Sequence, residues 1–209
     1  MTVKELKEIT DAIYFKINEN KDYLTRLDQE SGDGDLGISM VSGFQAVKNY
    51  METTEEADLG RALNKCGDVF NEAAPSSLGT ILTFFLKGMA KNLKGCSECG
   101  LDRIAEALQQ GIENIMKKAG SKPGEKTILD SLLPAVQMLG SSKDRNVIEE
   151  AAMAAKKGCE KTREMKAVWG RAAYYGEKSI GIIDGGAAVG ALIFEAVNEW
   201  EKGVCNKWF

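Results

Sequence analysis

The chain contains no histidine. That absence removes a histidine general base, a phosphohistidine relay, a Ser-His-Asp triad and every zinc site that needs imidazole. Whatever chemistry the chain performs falls to carboxylates, hydroxyls, backbone amides, Lys, Arg or a bound ion. Basic charge is not in excess either. Against 31 Asp and Glu stand 27 Lys and Arg, a net charge of −4, so there is no electrostatic footprint for nucleic acid. Long apolar runs are missing. The longest, Leu78 to Leu86, is interrupted by Gly79, Thr80 and Thr83 and falls well short of the about 20 residues that cross a bilayer. The opening Met1-Thr2-Val3-Lys4-Glu5-Leu6-Lys7 lacks the apolar stretch of a secretion signal, which predicts a cytoplasmic protein without a membrane partner. The cysteines (Cys66, Cys96, Cys99, Cys159 and Cys205) are odd in number and suit free thiols better than a disulfide framework. Cys96-x-x-Cys99 has no second ligand pair and no βαβ setting, which predicts an inter-helix loop without metal or redox chemistry.

What is present is the balance of a soluble globular chain, 44% hydrophobic and 28% charged. At 209 residues it should bury roughly 70% of its unfolded surface and needs no staple. We expect one domain over residues 1–209, since there is no linker, internal repeat or low-complexity tract. Helical periodicity dominates. Thr2-x-x-Glu5 is a capping box, followed by Leu6, Ile9, Ile13 and Ile17 and running on through Leu24 and Leu27. Further helices are predicted after Gly37 to Met51, after Thr54 through Phe70, over Leu78 to Met89, from Asp102 to near Gly120, after Thr127 to Gly140, over about Asn146 to Arg163, and over about Ala187 to Trp200. Pro134 lies inside the sixth and predicts a kink or a broken turn. No segment alternates as a strand does. Eight amphipathic helices with short connections predict an all-α, antiparallel, up-and-down bundle.

The connections at 28–39, 75–80, 120–127 and 170–187 are unusually polar and glycine-rich. They follow helices one, three, five and seven, so an up-and-down bundle would gather all of them at one end. The first carries Asp28 and then Gly32-Asp33-Gly34-Asp35-Leu36-Gly37-Ile38-Ser39. Carboxylates held this close repel one another unless a hard cation sits between them, and oxygens on one side of Mg²⁺ leave room for phosphate and water. Gly34 and Gly37 let backbone approach a phosphate at the start of the following helix. An acidic N-cap with a glycine C-cap would produce the same turn with no ligand at all. An EF-hand fits poorly: counting from Asp33, the required glycine falls on Ile38 and the final glutamate on Phe44.

Four blocks, Gly32-Asp33-Gly34-Asp35-x-Gly37 after Asp28, Lys122-Pro123-Gly124-Glu125-Lys126-Thr127-Ile128-Leu129-Asp130, Gly170-Arg171-Ala172-Ala173-Tyr174, and Ser179-Ile180-Gly181 leading to Asp184-Gly185-Gly186-Ala187, resemble the dihydroxyacetone kinase L family. The resemblance runs over essentially the whole chain in the same order. It implies an eight-helix barrel holding ADP or ATP with two Mg²⁺ at one end, and phosphoryl transfer to a small ketose carried by a separate K-type subunit. It implies that Asp28, Asp33 and Asp35 bind metal and act in catalysis. It further implies that Leu36, Gly37, Ile38 and Ser39 receive phosphate, that Gly120, Thr127 and Ile128 line the nucleotide side, and that Arg171, Asp184, Gly185 and Gly186 form its far side. Two positions depart from the family pattern. Leu36 stands where histidine is frequent, and Ala74-Pro75-Ser76-Ser77-Leu78-Gly79-Thr80 replaces a Gly-Ala-Ser-Gly phosphate loop. Both bear on substrate and donor more than on nucleotide binding.

Weighed on their own, Ser76 and Ser77 open a buried helix, where capping needs only one of them; the alternative places them, with Gly79 and Thr80, on phosphate. Thr127 is read as a nucleotide contact or as a helix cap, and Lys122 and Lys126 as solvated charge. Arg171 is read either as an ordinary surface arginine or as a bidentate phosphate contact, which its planar guanidinium suits. Tyr174, Tyr175, Trp200 and Trp208 read as packing. Two functions remain open at this point: the nucleotide-carrying phosphotransferase subunit of a ketose kinase, fed by ATP or by a phosphoryl-donor protein, or a regulatory protein that signals its phosphorylation state to a partner without turnover. A homodimer is compatible with either.

Overall fold

The computed structural model describes residues 1–141 and 146–205, the last two as backbone only; Trp208 lies outside them. The chain builds α1 (Val3–Glu19), α2 (Lys21–Gln29), α3 (Leu36–Thr53), α4 (Leu59–Ala73), α5 (Ser77–Asn92), α6 (Leu101–Ala119), α7 (Leu129–Ser141), α8 (Val147–Lys161) and α9 (Gly185–Cys205). Among the described residues there is no strand, only an isolated bridge between Thr2 and Glu98. The capping box forms: Thr2 accepts from the Glu5 amide, and the Glu5 carboxylate accepts from Thr2. The first expected helix is two. Asn20 leaves helical geometry at φ −98, ψ 12, and its side chain donates at 2.8 Å to the Lys16 carbonyl, which also accepts the Asn20 backbone N–H at 3.2 Å. Pro134 does not break α7, which runs unbroken past it.

Each helix packs on the next, from α1 to α3, α4, α5, α6, α7, α8 and α9, and α9 closes back onto α1. The result is a ring rather than a layered bundle, with α2 wedged beside α3 and α9. Ile17, Leu24, Met40, Met51, Leu59, Phe70, Ile112, Ile115 and Leu129 are fully buried inside it, and Phe44 meets Phe70 edge to face at 5.0 Å. Helices approach most closely where one side chain is missing. A Cβ on Gly158 of α8 would stand 2.0 Å from the Asp130 carbonyl oxygen of α7, so no larger residue fits there without parting the two helices. No helix among the described residues is long and apolar enough to cross a membrane.

Candidate functional site

The four unusual connections do meet at one end of the ring. Ser39 at the start of α3 donates to Ser76 at the start of α5, Oγ to Oγ, at 2.9 Å. A Cβ on Gly185 at the start of α9 would touch Leu36 Cδ2 at 2.5 Å, and one on Gly186 would lie 3.3 Å from the Ile128 nitrogen and 3.4 Å from Leu78 Cδ1. Arg171 ion-pairs with Asp33. The N-termini of α3, α5, α7 and α9 therefore share one surface. Helix N-termini carry unpaired N–H groups and a partial positive charge, so this end suits an anion.

The acidic loop is folded by one of its own carboxylates. Asp28, in the last turn of α2 and half-buried, accepts through Oδ2 the N–H groups of Gly34 (2.8 Å), Asp35 (3.0 Å) and Leu36 (3.4 Å). This bends the chain back across the start of α3, with Gly34 at φ +78 in the bend, a conformation that costs a side chain dearly. Asp33 and Asp35 are left exposed. One oxygen from each of Asp28, Asp33 and Asp35 lies within 4.8 Å of the others. Desolvation, reinforced by the charges of Asp33 and Asp28, holds the Asp35 carboxyl above its ordinary value. Asp33 is also disfavoured by desolvation, but the hydrogen bond and charge of Arg171 bring it below the ordinary value. An all-oxygen donor set with one over-crowded carboxylate fits a hard divalent cation such as Mg²⁺. Leu36 and Gly37 are buried, Ser39 half-buried, and Ile38 exposed at the rim.

Ser76 is the N-cap of α5: its Oγ accepts the Gly79 N–H at 3.1 Å, and Thr80 Oγ1 is committed to the Ser76 carbonyl at 3.1 Å. Ser77 beside it is exposed. Gly120 ends α6 in a left-handed C-cap at φ 79. Thr127 and Ile128 are buried. The Thr127 N–H donates to Asp130 Oδ2 at 2.7 Å, and Asp130 Oδ1 accepts the Gly124 N–H at 2.5 Å. Asp130 thus folds the 120–127 loop as Asp28 folds the first. Asp130 is not among the expected site residues, although Thr127-x-x-Asp130 has capping-box spacing. Asp184 caps α9, accepting the Ala187 N–H at 2.7 Å, while its own N–H donates to Thr162 Oγ1 at 3.0 Å. Burial pushes the Asp184 carboxyl up to about 6; the Ala187 N–H and Lys126 work against the rise, and Asp130 adds to it.

Lys126 corrects the sequence reading. It is not solvated but 4% exposed. Its backbone is left-handed at φ 62, and its ammonium donates to the carbonyls of Ser179 (2.5 Å), Ile182 (2.6 Å) and Met165 (3.3 Å). Desolvation lowers its pKa, with Asp184 opposing. The segment that supplies these carbonyls is not a plain loop. It holds a 3₁₀ stretch over Arg171–Ser179, kinked at Gly176. It places Trp169, Tyr174, Tyr175 and Ile180 on the surface, so the two tyrosines are not the core aromatics the sequence suggested. Trp169 Nε1 donates to Glu125 at 2.5 Å, joining this segment to the 120–127 loop. Cys96 and Cys99 lie outside this end, in the loop between α5 and α6, and Cys66, Cys96, Cys99 and Cys159 are free thiols.

Fold and site together define an all-helical barrel with a carboxylate cluster and four helix N-termini at one end. Residues 30–199 match the DAK2 domain family. The chain is 33% identical over 186 residues to the ADP-binding subunit DhaL of PEP-dependent dihydroxyacetone kinase 1 from Listeria innocua, covering 89% of this chain and 90% of that one. It is 31% identical over 172 residues to the corresponding DhaL of Escherichia coli K12, covering 79% and 81%. It is also similar to the rat triokinase/FMN cyclase, 29% identical over 94% of this chain but 35% of that longer protein. The chain belongs to the DAK2 family of dihydroxyacetone kinase L subunits. Its fold is that of part of a solved structure, the dihydroxyacetone kinase of C. freundii in complex with AMP-PNP and Mg²⁺, with a TM-score of 0.76 at 22% identity, over 92% of this chain and 33% of that one.

Proposed function

We propose that this chain is the nucleotide-carrying phosphotransferase subunit of a dihydroxyacetone kinase, active only with a K-type subunit that holds the ketose. The observation that carries the reading is the carboxylate cluster of Asp28, Asp33 and Asp35 set beside four helix N-termini. The aspartates would hold two Mg²⁺, which supply charge neutralisation as the phosphoryl group moves. The amides in the first turns of α3 and α5, among them Gly37, Ile38 and Ser77, have no helical acceptor and would bind phosphate oxygens, with Gly185 and Gly186 at the start of α9 letting them approach closely. Arg171 would leave Asp33 for phosphate, which its planar guanidinium can bind in bidentate fashion. Gly120, Thr127 and Ile128 would line the base side. The exposed Ile38, Trp169, Tyr174 and Ile180 would form an apolar rim against the K subunit. With no histidine or other evident base for the ketose, the chain leaves its activation to that partner.

The relatives' names speak of an ADP-binding subunit and of PEP dependence. This favours a resident ADP that is rephosphorylated by a phosphoryl-donor protein over exchange of free ATP. The test is mass spectrometry of the purified chain for retained ADP, followed by a transfer assay. Dihydroxyacetone phosphate should form only when chain, K subunit and phosphorylated donor are combined. Turnover of dihydroxyacetone by this chain alone with ATP would refute the split-enzyme reading, and full nucleotide retention in excess chelator would refute the metal site.

A further inference from the structure

The segment between α8 and α9 is a strap closed at its neck. The Gly181 N–H donates to the Arg163 carbonyl at 2.7 Å, and Arg163 Nη1 donates to the Gly181 carbonyl at 2.9 Å. The Ala167 N–H donates to Ser179 Oγ at 2.9 Å, and Lys166 pairs with Glu177 at 2.9 Å. Ends that meet and side chains that bond back onto their own segment give the strap a shape of its own, as in compact surface loops. Such a loop holds its own shape, but nothing in that list fixes where it points. Its orientation comes from the 120–127 loop. The Lys126 ammonium takes carbonyls from both feet of the strap, Met165 on the way in and Ser179 and Ile182 on the way out. The tip carries Arg171, which ion-pairs with Asp33 across the site. A buried ammonium with three carbonyl acceptors cannot slide, because each acceptor it abandons is left unsatisfied in a dry environment.

We propose that Lys126 is a positioning residue that locks the 165–182 strap onto the 120–127 loop and thereby aims Arg171 at the phosphate site. This deepens the proposed nucleotide function and rests on it. Lys126 touches no nucleotide; it acts through Arg171. Lys126→Met keeps the aliphatic stem, and the neck bonds within the strap survive it, so the barrel should remain folded by circular dichroism. Titration of MgADP by calorimetry should give a loss of about ten- to a hundredfold for Lys126→Met and a similar loss for Arg171→Ala, the scale of one charge-assisted contact. The double variant should bind no more than about twofold worse than Arg171→Ala alone, because a residue that acts through Arg171 has nothing left to misplace. A general destabilisation would not give that saturation. Limited trypsin digestion without nucleotide reads the tether separately: Lys126→Met should speed cleavage after Arg171 and Lys178. Should the methionine variant fail to fold, Lys126→Gln, which keeps one donor on a shorter arm, takes its place in both assays. Losses that multiply in the double variant, or MgADP affinity within about twofold of the parent, would overturn the proposal. A parent chain that binds no MgADP would overturn the nucleotide reading and the phosphate-aiming role together, while unchanged cleavage in that case would show that the tether is absent as well.

Discussion

Alanine at Asp28 and at Asp35 should act in opposite ways on the metal-free protein, because one carboxylate builds the loop and the other is only placed by it. Asp28 accepts three backbone N–H groups. Charge-assisted bonds of this kind contribute roughly 1.5–3 kcal/mol each when fully buried. Asp28 is half-buried and water can replace it in part, so we expect Asp28→Ala to cost about 2 kcal/mol in all. For a chain of this length that lowers Tm by about 4–8 °C. Asp35 makes no capping hydrogen bond and is disfavoured by desolvation and by Asp33 and Asp28. Asp35→Ala removes repulsion and only an exposed contact with the Asp33 carboxylate, so the metal-free Tm should stay within about 1 °C of the parent or rise. Saturated with Mg²⁺ and ADP, both variants should lose the linked stability, about 2.7 kcal/mol if ligand stands at 100 times its Kd. The assay is thermal melting of the parent and both variants in chelator and in Mg²⁺-ADP. Equal losses for Asp35→Ala under the two conditions would refute the metal assignment, and an unchanged metal-free Tm for Asp28→Ala would refute its role in building the loop.

Asp184→Asn should flatten a pH dependence. The Asp184 carboxyl is pushed up to about 6, against about 3.9 in an unfolded chain, so the native state holds the proton more tightly. The stability attached to that proton is present below about pH 4 and drains away as pH rises through about 6. The asparagine keeps the cap to α9 and should therefore gain on the parent by of order 1–3 kcal/mol between pH 4 and 7; a gap in Tm that does not change with pH would contradict this. Gly158→Ala should destabilise the chain by about 1–3 kcal/mol, because its Cβ would press on the Asp130 carbonyl. Urea unfolding measures this, and a neutral result would show that α7 and α8 can part freely.

The helices were legible because apolar residues recur at helical spacing and the chain has few breakers. The split at Asn20 was not. Ile17 and Leu24 keep the same face across it, so the hydrophobic pattern runs through a backbone break that needs no glycine or proline. The gathering of four connections at one end followed from counting helices. Closure of the helices into a ring could not be read that way, since it depends on α9 returning to α1 across the whole chain. Within the site, the aspartates announced themselves by crowding. Lys126 did not, because its three acceptors arrive from residues 165, 179 and 182 and carry no signal near residue 126. Tyr174 looked like core for the same reason: periodicity assigns faces within a helix and says nothing about a strap that stands off the barrel.

A ring closed by its first and last helices has a consequence for the order of folding. Contacts from α3 to α8 join neighbours in sequence and can form as soon as each pair has emerged from the ribosome, with little loop entropy to overcome. The seam between α1 and α9 joins residues such as Lys16 and Glu199 and must wait until α9 has been made. Until then the edges of α1 and α8 that α9 will cover have no lid, and the open ring presents the apolar surface that invites association. Destabilising substitutions along the α1–α9 seam should therefore speed unfolding more than they slow folding, since the seam is the last part to close and the first to open.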